Sequence, residues 1–303
     1  MDARAGAAAR HPRAAGRQPR PPAAGTLFRQ IFAALAAQVV AGVETADRSG
    51  SADAIHQLRI DITRLRTALS AFAGFLPDHR AQRLGNELKW LMHGLAATRE
   101  WDVFLAEQNL TPRFPRHGTS AAAAAACRAQ ALEQARAVFH SHRCGALLTR
   151  LRAMHGHPGA ASVLPPRTSH HAGDSLRPAA SVVLRQRLRE VRQRGRHLRG
   201  LRRKELHRLR MSLKRLRYAS EMLEPLYAHR RVQPYLTALS ELQGRLGVIQ
   251  DAASGRALAS QLKRRLGKHR VAAVDRHGAG SGKQRKLRHA WHSFRRLEPF
   301  WET

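Results

Sequence analysis

Apolar residues return every three or four positions along most of the chain. That is the spacing of helices with one buried stripe, not the alternation of half-buried strands. The pattern predicts helices over residues 26–47, 52–75, 79–108, 119–154, 178–200, 202–225, 230–266 and 283–297. Breakers fall between them at Pro77, Pro112, Pro115, Pro225 and Gly278 to Gly282. Ser51 and Asp53 are suited to open the second helix, because short oxygen-bearing side chains accept from the unpaired amides of a first turn. The longest interruption runs from His155 to Pro178 and carries Pro158, Pro165 and Pro166. It predicts a linker over 157–177 between helical segments 26–156 and 178–303. Ahead of the first helix, Arg10, Arg13, Arg17 and Arg20 sit in a Pro-containing stretch that predicts a disordered basic tail over 1–25. The apolar run Ile31 to Val43 behind it has the outline of a targeting peptide. Arg29, Gln30 and Gln38 spoil that outline, and the run reads as an amphipathic helix.

The two helical segments repeat one another. His56-Gln-Leu-Arg-Ile-Asp-Ile-Thr-Arg-Leu-Arg-Thr-Ala68 returns as His207-Arg-Leu-Arg-Met-Ser-Leu-Lys-Arg-Leu-Arg-Tyr-Ala219, an offset of 151 residues. The same offset pairs Leu91 with Leu242, Leu95 with Leu246 and Glu100 with Asp251. A register kept over that length, with His, Leu and Arg in step, predicts an internal duplication.

Composition sharpens this picture. Aromatic residues make up 5% of the chain, and Ala, Leu and Arg, all strong helix formers, dominate. The fold class expected is all-α. A formal net charge of +33 requires an anionic partner: nucleic acid, an anionic membrane surface or a free polyanion. Two cysteines, Cys127 and Cys144, in no metal-like spacing, point to a reducing cytoplasm and no disulfide framework. No apolar run reaches the ~18 residues of a membrane span, so no membrane partner is expected.

Position on the helix then decides what the cations do. At about 100° per residue, with His56 at zero, Thr63 lies near −20°, Arg59 near −60° and Arg66 near −80°. Arg64 flanks this stripe near +80°. Leu58, Ile62, Leu65, Leu69 and Phe72 lie behind. The second copy places His207, Arg210, Lys214 and Arg217 in one stripe, with Arg215 on the flank and Leu209, Leu213, Leu216 and Leu223 behind. An ordinary solvated face mixes signs and gains from acid–base pairs one turn apart; here the first acid is Glu221. Arg185, Arg189, Arg192, Arg196 and Arg199 form another ladder ahead of the second copy. Guanidinium forks repeated every ~5.4 Å suit a chain of phosphates better than one small ligand. His56 and His207 hold equivalent places, and imidazole next to a polyanion is favoured in its protonated form.

His-x-x-Arg-x-x-x-Arg/Lys-Arg-Leu-Arg, present twice, resembles the signature of the CHAD domain, a helical domain named for its conserved histidines. Arg99-Glu100-Trp101-Asp102-Val103, Leu246-Gly247 with Asp251, and Pro299-Phe300-Trp301 are similar to further family motifs. The resemblance covers about residues 26–303. It implies two four-helix bundles related by a pseudo-two-fold axis, with a basic groove or pore that binds inorganic polyphosphate. It would draw its contacts from His56, Arg59, Arg64, Arg66, His207, Arg210, Lys214, Arg215 and Arg217; the ladder Arg185, Arg189, Arg192 and Arg196 is added from its spacing alone. Thr63 stands where the second copy has Lys214, so the first is expected to grip less firmly. Glu100 stands where the family has Asp, which bears on a helix contact more than on the ligand. No companion CYTH-type triphosphate-processing domain is seen, so a stand-alone binding module is expected, cytoplasmic and associated with polyphosphate granules.

Nucleic acid is the alternative partner, since Arg surfaces also suit phosphodiesters. There is no zinc motif, RNP motif or aromatic stacking series to support it. A metal-dependent polyphosphate-processing enzyme would need clustered carboxylates. Glu100, Asp102 and Asp251 are scattered within packing motifs, and no Gly-rich phosphate loop is present. His155, His157, His170 and His171, in and beside the linker, are weak metal candidates. No catalytic residue, metal or cofactor is expected.

Overall fold

The computed structural model describes residues 24–73, 78–109, 119–154, 177–266 and 281–302. The expected tail and linker, and His155, His157, His170 and His171, lie outside the described residues, apart from positions 24, 25 and 177. Ten α-helices are described, with no strand among the described residues, so the fold is all-α as expected. They are α1 (Ala24–Ser49), α2 (Ala52–Ala71), α3 (Asp78–Gly94), α4 (Ala96–Asn109), α5 (Thr119–Phe139), α6 (His142–Ala153), α7 (Arg177–Arg194), α8 (Arg203–Leu223), α9 (His229–Leu266) and α10 (Ser281–Arg296). Ala52 and Arg203 open α2 and α8 at a separation of 151 positions, and Asp78 and His229 open α3 and α9 at the same separation.

Two expected helices are each divided in two. The segment 79–108 breaks at Leu95, after Gly94, where the chain runs hard against α5: a Cβ on Gly94 would stand 3.0 Å from the Val138 methyls. The segment 119–154 breaks at His140 and Ser141. Ser141 adopts extended backbone (φ −69°, ψ 146°), and its hydroxyl accepts from the Cys144 amide at 3.2 Å, capping α6. The segment 178–200 ends its α-helix at Arg194 and continues only as a 3-10 turn over Leu198–Gly200.

Ser51 caps α2 as expected, accepting from the Ala54 amide at 3.2 Å. Asp53 lies in the first turn, where a carboxylate favours the helix dipole. Between α1 and α2 the chain turns at Gly50, with φ +56°, a left-handed conformation that costs glycine no Cβ clash. The Gly50 carbonyl accepts from Arg128 of α5, whose Nε is 2.9 Å from Asp102 Oδ1 of α4. Asp102 is thus a buried tie between α4, α5 and this turn.

The apolar stripes meet in one large cluster and one small one. The large cluster draws on α1–α3 and α5–α10, from Phe32 to Trp301, and does not divide at the linker. The small one holds Trp101 and Phe104 of α4, Ala124, Cys127 and Ala131 of α5, and Leu258, Ala259 and Leu262 of α9. Within the large cluster Tyr235 packs edge-on against Phe300 and Trp301. α2 and α8, the two helices with the repeated motif, pack directly on each other, and α7 packs on α8.

Candidate anion-binding site

Because Leu58, Ile62, Leu65, Leu209, Leu213 and Leu216 are fully buried, the register of α2 and α8 is set by their apolar stripes. The cationic residues are carried to the edge where the two helices meet, and they gather there in three groups.

At one end stand His56, Arg59, Arg99 and Lys214, from α2, α4 and α8. The His56 imidazole is held below its ordinary value by partial burial and then by the positive charge of Arg99, Lys214 and Arg59, with Asp53 opposing. Arg59 is not wholly committed to an outside ligand. Its Nη1 donates to the Met92 carbonyl at 3.0 Å, occupying an acceptor in the last turn of α3. Burial, then Arg99, lowers the Arg59 value, with Glu100 opposing. The Thr63 hydroxyl donates to the Arg59 carbonyl at 2.7 Å, so it is spent on its own helix.

In the middle, Arg66 of α2 meets Arg215 of α8. Burial lowers the Arg66 value and the Arg215 charge lowers it further. For Arg215, burial again comes first; Glu190 opposes it, while Arg187 and Arg194 add to it. These last three residues belong to α7. Arg187 is 6% exposed; its Nη1 lies 2.9 Å from Glu190 Oε1, and its Nη2 donates to Ser70 Oγ of α2 at 2.7 Å. Glu190 Oε2 stands 3.8 Å from both Arg194 and Arg215, and Arg194 also donates to the Ser212 hydroxyl of α8.

The third group is built on Tyr218. The guanidinium carbons of Arg64 and Arg217 lie 5.7 and 5.1 Å from its ring centroid. Glu221 joins the same two cations, at 3.5 Å to Arg64 and 3.1 Å to Arg217. His207 is exposed near the start of α8, and Arg210 and Lys214 are partly buried along it.

Arg185, Arg189, Arg192 and Arg196 are not brought to this edge. Arg185, Arg189 and Arg192 are exposed on the side of α7 about 160° round from Arg187, Glu190 and Arg194, and Arg196 is exposed just past the end of the helix. Arg185 turns back to the Ser181 carbonyl at 3.3 Å. Arg187 and Arg194 reach the site instead, although they lie outside the longest Arg run of α7. Their signal is a pair seven residues apart with an acid between them, and a pattern search for uninterrupted charge discards it. Arg99, passed over as part of a packing motif, also reaches the site.

The edge therefore presents Arg64, Arg66, Arg187, Arg194, Arg215 and Arg217 around two carboxylates, Glu190 and Glu221. It remains cationic, and its guanidiniums come from three helices. Among the described residues no group of three or more His, Cys, Asp or Glu stands close enough to hold a metal ion, and no helix is long and apolar enough to cross a membrane.

Residues 28–260 match the family model of the CHAD domain. No curated protein matches the chain. Among solved structures, the crystal structure of the CHAD domain from the plant Ricinus communis is similar with a TM-score of 0.66 and 22% identity, over 91% of this chain and 89% of that one. PptA from Streptomyces chartreusis is similar with a TM-score of 0.59 and 20% identity, over 93% of this chain and all of that one. At those identities the two structures speak to the fold, and the family model speaks to descent: the chain belongs to the CHAD domain family.

Proposed function

We propose that this protein binds inorganic polyphosphate, without catalysis, along the edge where α2 and α8 meet. The observation that carries the reading is the gathering of partly buried cations from different helices: burial and then the Arg215 charge make Arg66 harder to keep charged, and burial with Arg187 and Arg194 does the same to Arg215. Folding has set like charges together at a cost, and an anion threaded between them turns that cost into affinity. Phosphates linked in a chain can meet the three groups in turn, from His56 and Lys214, past Arg66 and Arg215, to Arg64 and Arg217.

The sequence repeat supports a two-fold arrangement. The offset of 151 converts Arg66 into Arg217 and Arg215 into Arg64. It therefore exchanges the pair Arg66–Arg215 with the pair Arg217–Arg64, the relation expected about a pseudo-two-fold axis through the crossing of α2 and α8. On this reading α3 with α4 is the counterpart of α9, and the protein is built from two related four-helix units sharing a core.

Binding rather than turnover is favoured by how the nearby carboxylates are used. Glu190 and Glu221 are paired with Arg, and Asp102 is tied to Arg128. A cytoplasmic protein gathered on polyphosphate granules fits this reading.

The test is a titration with long-chain polyphosphate in competition with duplex DNA and single-stranded RNA across a salt series. Polyphosphate should displace both at physiological salt, and Arg66→Glu with Arg215→Glu should abolish its binding while the helical circular dichroism stays. Displacement of polyphosphate by either nucleic acid would instead establish a nucleic-acid binder. Phosphate release on incubation with Mg²⁺ would establish an enzyme.

A further inference from the structure

A second concentration of positive charge lies away from the α2–α8 edge, in a notch of about 840 Å³ between the end of α7 and α10. Arg196 and Arg199 form one wall, and Arg285, Arg288, His292 and Arg295 form the other. Its lining residues include no Asp or Glu, and the sequence of α10 from Ser281 to Arg296 contains none.

The notch is held open by packing. α10 buries Leu287, Ala290, Trp291 and Phe294 against the core. At about 100° per residue, Arg285, Arg288, His292 and Arg295 share the opposite face. The Trp291 indole is seated directly on Gly195, the residue that follows α7; a Cβ there would overlap its ring. This seat fixes the α10 cations opposite Arg196 and Arg199. The five arginines are exposed, and among the described residues none of them pairs with a carboxylate. This differs from the α2–α8 edge, where Glu190 and Glu221 already occupy part of the charge.

We propose that this notch is a separate binding site for a compact oligophosphate, of the size and charge of tripolyphosphate, either free or as the end of a polyphosphate chain. Five forks converging from two walls suit an anion with several adjacent phosphates, each able to take two N–H groups. Nucleic acid fits less well, because Trp291 is 7% exposed and offers no face on which a base can stack.

The test uses the full chain with the α2–α8 edge disabled by Arg66→Glu and Arg215→Glu, so that it stands apart from the function proposed above. Calorimetric titration with tripolyphosphate should still show one site. Adding Arg288→Glu and Arg295→Glu should weaken that site at least about tenfold, the loss expected for charge-assisted hydrogen bonds. Neutral Arg288→Gln with Arg295→Gln should weaken it less, with circular dichroism unchanged. Long-chain polyphosphate added to the same edge-disabled protein should compete for the site with tripolyphosphate if chain ends are accepted; no competition would assign it to free oligophosphates. The proposal is overturned if the edge-disabled protein does not bind tripolyphosphate, if reversing the notch arginines leaves binding within twofold, or if single-stranded RNA displaces tripolyphosphate at equal phosphate concentration.

Discussion

His56 reports on the electrostatics of the site more directly than any arginine, because its charge changes near neutral pH. Partial burial, and then its neighbours Arg99, Lys214 and Arg59, hold its value below that of an ordinary imidazole. Where the folded value is below the unfolded one, the unfolded chain takes up its proton first as pH falls. The His56 contribution is therefore neutral above the ordinary imidazole range and turns against the fold as pH drops through it. An NMR titration should find His56 depressed in the protein alone and raised once polyphosphate is added; no upward movement would place the chain elsewhere. Glu221 gives a second residue-scale prediction. Replacing it by Gln releases Arg64 and Arg217 together, so polyphosphate binding should tighten and the dependence of log affinity on log salt should steepen by about one unit. At this scale the sequence was informative about type and silent about partnership. His56, Arg66, Arg215 and Arg217 were legible from the repeat. Nothing in it said that Arg59 would cap α3 at Met92, or that Glu221 would bridge two helices, because both contacts join positions distant in the chain.

Elements were legible where a long apolar stripe met a strong breaker. The starts of α2 and α9 fell within a residue of expectation, and Ser51 was recognisable as a cap. The divisions at Leu95 and Ser141 were hidden because helical periodicity continues through them, and what ends the helix is a neighbour or a side-chain cap. Ser141→Ala should cost about 1 kcal/mol in urea unfolding, the usual worth of such a cap. α7 shows the deeper limit. Its exposed ladder and its buried Arg187 lie on opposite faces, and only the packing of α7 on α8 decides which face the site sees. Glu190→Ala would leave Arg187, 6% exposed, without its carboxylate and should destabilise the fold by about 3 kcal/mol. Gly195→Ala should force the Trp291 ring from its seat. A loss of about 1–3 kcal/mol and a red shift of tryptophan emission are expected, as for an overfilled core.

At the scale of the whole molecule, a net charge of +33 sets folding against itself. Added salt should therefore raise the melting temperature of the protein alone while weakening its hold on polyphosphate, since both effects come from screening the same charges. Under the proposed function the two curves converge: at low salt the complex is the more stable by a wide margin, and at high salt the difference vanishes. Differential scanning measurements with and without polyphosphate would trace both. The helical class was readable from sequence at this scale. The single apolar cluster running through both segments was not, because the pattern on a helix tells which face is buried and not which helix covers it.

Glu190 and Glu221 lend the α2–α8 edge a threshold. An anion that takes the place of either carboxylate must break ion pairs already made with Arg187, Arg194, Arg215, Arg64 and Arg217. A lone orthophosphate gains too few contacts to do so, whereas a chain that displaces both recovers the loss many times over along its length. Under the proposed function, two ordinary glutamates would then act as a length filter, favouring polymers over the small phosphates that crowd a cell.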